Sequence, residues 1–211
     1  MNTSEIFESI QGEGSSAGLP MTFVRFAGCN LRCSYCDSLY ALEGGIEMSV
    51  NEVFKHCLAK PWRRVELTGG EPMLQDGIVS LCGLLLSSGF KVLIETNGSA
   101  DLSSLPASVV KIVDIKTPGS GSGDSFLESN LDLLGSDDEL KLVLTSREDY
   151  DWAKNFISDK NLMGKCEILF SPASPVLSPE NLAEWILRDG LDVRFNPNVH
   201  RYIWKDNSRG R

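Results

Sequence analysis

The sequence predicts an α/β protein built as a partial, open TIM-type barrel, with about six mostly parallel strands and helices outside. Three observations predict it. Apolar, β-branched runs recur along the chain. Capped helical patterns lie between several of them, which means βαβ units and a mostly parallel sheet. The chain has 211 residues, whereas a complete eight-fold barrel usually takes ~250. A doubly wound open sheet is the alternative.

The elements follow in order. The first clear strand is TFVRFAG (22–28). Ser49 and Glu52 then form a capping-box pair ahead of VFKHCLAK. RVELT (64–68) is a strand, and residues 74–88 read as a helix closed by Gly89. KVLIET (91–96), VVKIVDIK (109–116) and ELKLVLT (139–145) are further strands. Between the last two lies TPGSGSGDS (117–125), read as a plain surface loop in preference to a flexible insertion or lid. Ser146 and Asp149 open a helix that runs to about Lys160. CEILFS (166–171) is a strand. Ser178 caps a helix with Pro179 in its first turn and Gly190 just past its end. LDVRFN (191–196) is the last strand. No internal repeat or linker divides the chain, so residues 1–211 read as one domain.

Composition narrows the function. The formal net charge is −9, which argues against a general nucleic-acid binder. A local Arg and Lys cluster can still admit a small anion. MNTSEIFESI has neither the basic start nor the apolar stretch of a secretory signal. The most apolar stretch, IVSLCGLLLSSGFKVLI, is broken by Ser, Gly and Lys and falls short of the ~20 apolar residues of a membrane span. A cytoplasmic location is expected. In a reducing cytosol, six cysteines suggest metal or redox chemistry, not disulfides.

Three of those cysteines sit in GCNLRCSYCDS (28–38): Cys29, Cys33 and Cys36, spaced C-x3-C-x2-C. They follow a strand directly, at the edge where parallel α/β folds place their chemistry. Structural zinc usually takes four ligands in paired knuckles, and no second knuckle appears. Cys57, Cys82 and Cys166 stand alone and read as small core residues. A [4Fe–4S] cubane held by three thiolates keeps one iron open to an outside ligand. Three ligands therefore suggest catalysis.

This spacing resembles the signature of the radical S-adenosylmethionine (SAM) enzymes. The resemblance implies a [4Fe–4S] cluster on Cys29, Cys33 and Cys36, with SAM chelating the open iron. LTGGEP (67–72) resembles the family's GGE motif, which holds the SAM amino group through Gly69, Gly70 and Glu71. Asp114, Ile115 and Lys116, at another strand end, sit where the family contacts SAM. Ser171 of FSPAS (170–174) is placed beside the adenosine. Tyr35, Cys36 and Asp37 complete the SAM surroundings.

The N-terminal stretch EIFESIQGEGSSAGLPMTFVRFAGCNLRCSYCDS is similar to the 7-carboxy-7-deazaguanine synthases of queuosine and deazapurine biosynthesis. VHRYIW (199–204) resembles that family's ending. The resemblance implies a lyase that contracts the ring of 6-carboxy-5,6,7,8-tetrahydropterin, loses ammonia and regenerates SAM, with Mg2+ assisting. The pterin site then comprises Ile10, Gln11, Gly12, Glu13, Arg25, Thr68 and His200. The family's chain terminus reaches substrate, which points to Arg211. Ile10 to Gly12, with the Gln11 amide, would read the pterin edge. Arg25 offers a charged fork to a carboxylate or ring oxygen. Mg2+ falls to Ser38, where the family usually has Thr. Two further departures are NPNV before the His motif and DIK in place of a serine-proline-lysine strand end. Partners implied are the pterin, an electron donor such as flavodoxin and a second copy in a homodimer, without nucleic acid or membrane. The rival readings are a glycyl-radical-enzyme activating enzyme and a non-catalytic metal-binding module.

Overall fold

The computed structural model describes residues 1–204, 209 and 210. Alternation along the strands organises it. In β2 (Pro20–Phe26), Val24 and Phe26 join one apolar cluster while Phe23 and Arg25 face the barrel interior. In β4 (Arg64–Gly69), Val65 and Leu67 point outward while Glu66 and Thr68 point in. The period of two thus sorts each strand into a helix-facing and a barrel-facing row.

Strands β5 (Lys91–Thr96), β6 (Val110–Lys116), β7 (Glu139–Leu144) and β8 (Glu167–Pro172) continue this run. Each is parallel to its neighbour, ending at a two-residue β9 (Arg194–Phe195). On the other side β1 (Asn2–Ile10) pairs antiparallel with β2 and with a short β3 (Ile46–Glu47). The order is β3-β1-β2-β4-β5-β6-β7-β8-β9, with β3 and β9 as unjoined edges. The open barrel is as predicted, but β1 was not foreseen and the last strand is a stub. NTSEIFESI mixes polar and apolar residues without a clean alternation, so it carries a weak strand signal.

Helices cover the outer face in two groups. α1 (Val50–Leu58) and α2 (Ile78–Ser87) bury Val53, Leu81 and Leu85 against β2, β4 and β5. α3 (Arg147–Asp159) and α4 (Pro179–Asp189) bury Tyr150, Ile157 and Leu182 against β6 to β8. The Ser49–Glu52 capping box forms, and Ser146 accepts from the Asp149 N–H. Ser178 stands at its cap position but its hydroxyl makes no cap hydrogen bond. α2 starts four residues later than expected: Pro72–Leu74 is a separate 3-10 turn, and Gln75 is extended at ψ 117°. A short α5 (Val199–Trp204) follows β9.

The segment 117–125 is more than a surface loop. Thr117 and Ser120 are fully buried. Gly119 N–H donates to Asp149 at 2.9 Å, and the Ser120 carbonyl accepts from Ser34 N–H at 2.9 Å, in the cysteine loop. After β1, residues 11–15 cross to the far strands. Gly14 N–H donates to Asn196 at 2.7 Å, Ser15 N–H to Glu139 at 2.9 Å, and the Gly12 carbonyl accepts from Val199 N–H at 2.9 Å.

Candidate active site

A cavity of about 650 Å³ fills the barrel interior. Cys29, Cys33 and Cys36 are half-buried and all line it. Their loop is anchored at its start: Gly28, at φ +91°, receives the Glu71 N–H on its carbonyl and donates to Ala41 O, both at 2.8 Å. Burial pushes the Cys33 thiol up, and Lys116 partly offsets it. Among the described residues no three Cys, His, Asp or Glu converge on a point that suits one metal ion. The other cysteines are core residues as expected. Burial pushes Cys57 and Cys82 up to about 12 and Cys166 to about 11, and none of the three lines the cavity.

Gly69 and Gly70 face the cavity directly behind this loop. Gly69 has φ +133°, and a Cβ there would run into the Phe26 backbone. A Cβ on Gly70 would run into the Gly28 carbonyl. The two glycines therefore bring a strand end flush against the start of the cysteine loop.

Glu71 requires a correction. It is fully buried and does not line the cavity. Its carboxylate accepts from Thr96 Oγ1 at 2.6 Å, Asn97 N at 2.7 Å and Met73 N at 2.9 Å. Burial pushes this carboxyl up, against the pull of those hydrogen bonds. These bonds tie the GGE turn to the end of β5. Glu71→Gln keeps the shape but replaces one acceptor oxygen with a donor. It is expected to cost about 2 kcal/mol by leaving buried donors unpaired, read as a lower chemical-denaturation midpoint. An unchanged midpoint would refute this role.

Asp114 and Lys116 line the cavity, but Ile115 does not. Strand alternation turns Ile115 into the helix-facing core, where it is 1% exposed. Asp114 pairs with Lys116 at 2.9 Å, and Lys116 lies 5.7 Å above the Tyr35 ring. Ser171 lines the cavity and accepts from Asn196 Nδ2 at 2.8 Å. Asp37 and Ser38 sit together at the mouth. Ser38 Oγ donates to Asp37 at 3.0 Å and accepts from Arg25 at 3.4 Å. Burial works against ionisation of Asp37, but hydrogen bonds from Ser38 and Arg201 outweigh it and hold the carboxyl below its usual range.

These residues fit the groups that the sequence implies. The buried Tyr35 hydroxyl and Asp114 Oδ1 have no hydrogen-bond partner among the described residues, so the cavity offers polar atoms to an incoming ligand. The three thiols are soft donors suited to iron. Asp37 and Ser38 are the hard oxygens that Mg2+ takes.

Ile10, Gln11, Gly12, Glu13, Arg25, Thr68 and His200 also line the cavity. Arg25 is tied to Glu5 at 3.0 Å, and Tyr40 donates to the same carboxylate at 2.7 Å. His200 packs on Gly12, where a Cβ would strike it. Gln11 differs from expectation. Its amide oxygen accepts from Gly12 N at 2.7 Å and Glu13 N at 3.1 Å, and its Nε2 donates to Glu66. The amide thus shapes its own loop while still lining the cavity. Arg211 lies outside the described residues.

Sequence reasoning missed the cavity floor. Glu66, Glu95, Glu139 and Lys141 all line it from the strands. Burial, with Glu95 and Glu13 nearby, pushes the Glu66 carboxyl well above the usual range. Burial would also raise Glu95, but Lys141 outweighs it and holds that carboxyl low. The available signal was a charge on the inward beat of each apolar run.

Comparison with known proteins agrees with this geometry. A family profile described as the radical SAM superfamily matches residues 23–114. A 7-carboxy-7-deazaguanine synthase of Koribacter versatilis is 43% identical over 225 residues, covering all of both chains. One from Chlorobaculum tepidum is 44% identical over 213 residues, covering 100% of this chain and 97% of that one. The crystal structure of QueE from Escherichia coli superposes with a TM-score of 0.78 at 22% identity, covering 94% of each chain, and shows the same fold.

Proposed function

The chain belongs to the 7-carboxy-7-deazaguanine synthases, within the radical SAM superfamily, and from that membership we propose the reaction and the roles of its residues. It is a radical SAM lyase that converts 6-carboxy-5,6,7,8-tetrahydropterin to 7-carboxy-7-deazaguanine with loss of ammonia. The observation that carries this reading is the placement of all three loop thiols on one cavity that the Ile10–Gly14 segment also lines.

Cys29, Cys33 and Cys36 would hold the cluster and leave one iron for SAM. Bound there, the pair supplies reductive cleavage of the sulfonium and so a hydrogen-abstracting radical. The Gly69–Gly70 backbone, Tyr35, Asp37, Asp114, Lys116 and Ser171 would surround SAM. Glu71 and Ile115 support that wall from behind. Ile10, Gly12, Glu13, Arg25, Thr68 and His200 would bind the pterin, with Gln11 fixing the loop. Ser38 and Asp37 would hold Mg2+ beside the substrate carboxylate. Arg25 stands next to that pair at 3.4 Å from Ser38, close enough to share the carboxylate.

Residues 1–211 are read as one radical SAM domain that works in the cytoplasm. A one-electron donor such as flavodoxin would reduce the cluster. No helix of the described residues is long and apolar enough to cross a membrane. A homodimer is proposed because an open barrel leaves edges that need cover.

The test is anaerobic reconstitution followed by incubation with the carboxytetrahydropterin, SAM, Mg2+ and a reductant. Mass spectrometry is expected to find 7-carboxy-7-deazaguanine, with ammonia released in equal amount. Absence of product from protein with a SAM-responsive cluster would overturn the substrate assignment. A reduced-cluster EPR spectrum that ignores SAM would overturn the radical chemistry itself.

A further inference from the structure

Lys141 meets three carboxylates that come from three separate segments. Its ammonium lies 3.0 Å from Glu13 in the crossing segment, pairs closely with Glu95 on β5, and lies 3.3 Å from Asp114 near the end of β6. The side chain is 7% exposed and lines the cavity. Burial disfavours its charge, but Glu13, Glu95 and Asp114 more than compensate, so it stays protonated.

The three partners differ in what else holds them. Asp114 also pairs with Lys116 at 2.9 Å, so it keeps a cation if Lys141 is lost. Apart from Lys141, Lys116 attracts Glu95 without a hydrogen bond, while Glu95 accepts a hydrogen bond from the Thr68 hydroxyl at 3.1 Å and Glu13 from the Asn198 amide at 3.2 Å. These are neutral donors and weaker than an ammonium. Without Lys141, Glu13 and Glu95 would face each other and the nearby Glu66 with no ammonium between them, and the arrangement would loosen. Glu13 and Thr68 belong to the wall assigned to the pterin, whereas Asp114, Lys116 and Tyr35 belong to the wall assigned to SAM.

We propose that Lys141 is a positioning residue for the pterin half of the cavity, gathering Glu13 and Glu95 into one fixed arrangement while the SAM half stands on Lys116. The proposal rests on the activity assigned above. Lys141 touches neither reacting atoms nor cofactor in this role; it acts through the carboxylates that it holds.

The test compares reconstituted wild-type holoenzyme with Lys141→Met and Lys141→Arg. In the methionine variant KM for the carboxytetrahydropterin is expected to rise at least about tenfold while kcat stays within about threefold, the pattern of lost ground-state binding. The change that SAM induces in the reduced-cluster EPR spectrum is expected to match wild type. Arginine keeps the charge but not the compact three-way geometry, so KM rises there too. It also decides the matter if the methionine variant does not fold. A wild-type KM in either variant overturns the proposal. So does loss of the SAM response in parallel with pterin binding, which would mark a general structural strut. Pterin affinity of the unreduced holoenzyme, followed by fluorescence, separates this outcome from failure of the activity assignment. Wild type without product refutes the activity, whereas unchanged affinity in the variants refutes the role of Lys141 alone.

Discussion

Cys33→Ala is expected to give folded protein with no competent cluster, and turnover lower by at least about a thousandfold, the scale lost when one member of a catalytic unit is removed. Cys33 is half-buried in a loop and lies outside both apolar clusters, so its loss costs the fold little. The cubane would keep two of its three thiolates, and iron content, visible absorbance and product would fall together. Cys57→Ala is the matched control. Cys57 is fully buried on the inner face of α1, so the same change is expected to lower stability by about 1 kcal/mol and leave iron content and turnover as they were. Full activity in the Cys33 variant, or cluster loss in the Cys57 variant, would break the division between loop and core cysteines.

Gly70→Ala is expected to have the second largest effect. The added methyl would meet the Gly28 carbonyl, and that carbonyl also accepts the Glu71 N–H at 2.8 Å. The methyl is fixed to its backbone and the carbonyl is backbone itself, so no side-chain rotation relieves the clash. Either the turn lifts away or the cysteine loop does. The cost is expected to reach ~3 kcal/mol, the upper part of the range for overpacking, with weaker SAM response as the loop shifts. Gly83→Ala provides contrast, since nothing stands within 4 Å of a Cβ there. It is expected to stabilise α2 by up to about 1 kcal/mol. A Gly70→Ala variant with wild-type melting and an intact SAM effect would refute the close approach.

How legible the site was depends on how local its signals are. The three cysteines and two glycines lie within short motifs, and their spacing carries their chemistry. Strand ends such as Asp114 and Lys116 were readable because period-two alternation places them on one face. Ile115 was misplaced by treating a strand end as a block instead of an alternating row. The burial of Glu71 behind the cavity could not be read from sequence, because a carboxylate in a Gly-rich turn serves a ligand or the turn equally well on paper. The floor was invisible for another reason. A charge inside RVELT, LIET or ELKLVLT reads as a solvent-facing position, and only the curvature of the sheet turns those positions into a cavity. The crossing segment was equally hidden, because Gly14 meets Asn196 and Gly12 meets Val199 across nearly the whole chain.

That last meeting has a bearing on biosynthesis. During translation Gly12 is made 187 residues before Val199. The wall that they share cannot close until Val199 has left the exit tunnel. The loop of Cys29, Cys33 and Cys36 waits less: its partners reach only to Asn97 and Ser120, so its supports are made well before Val199.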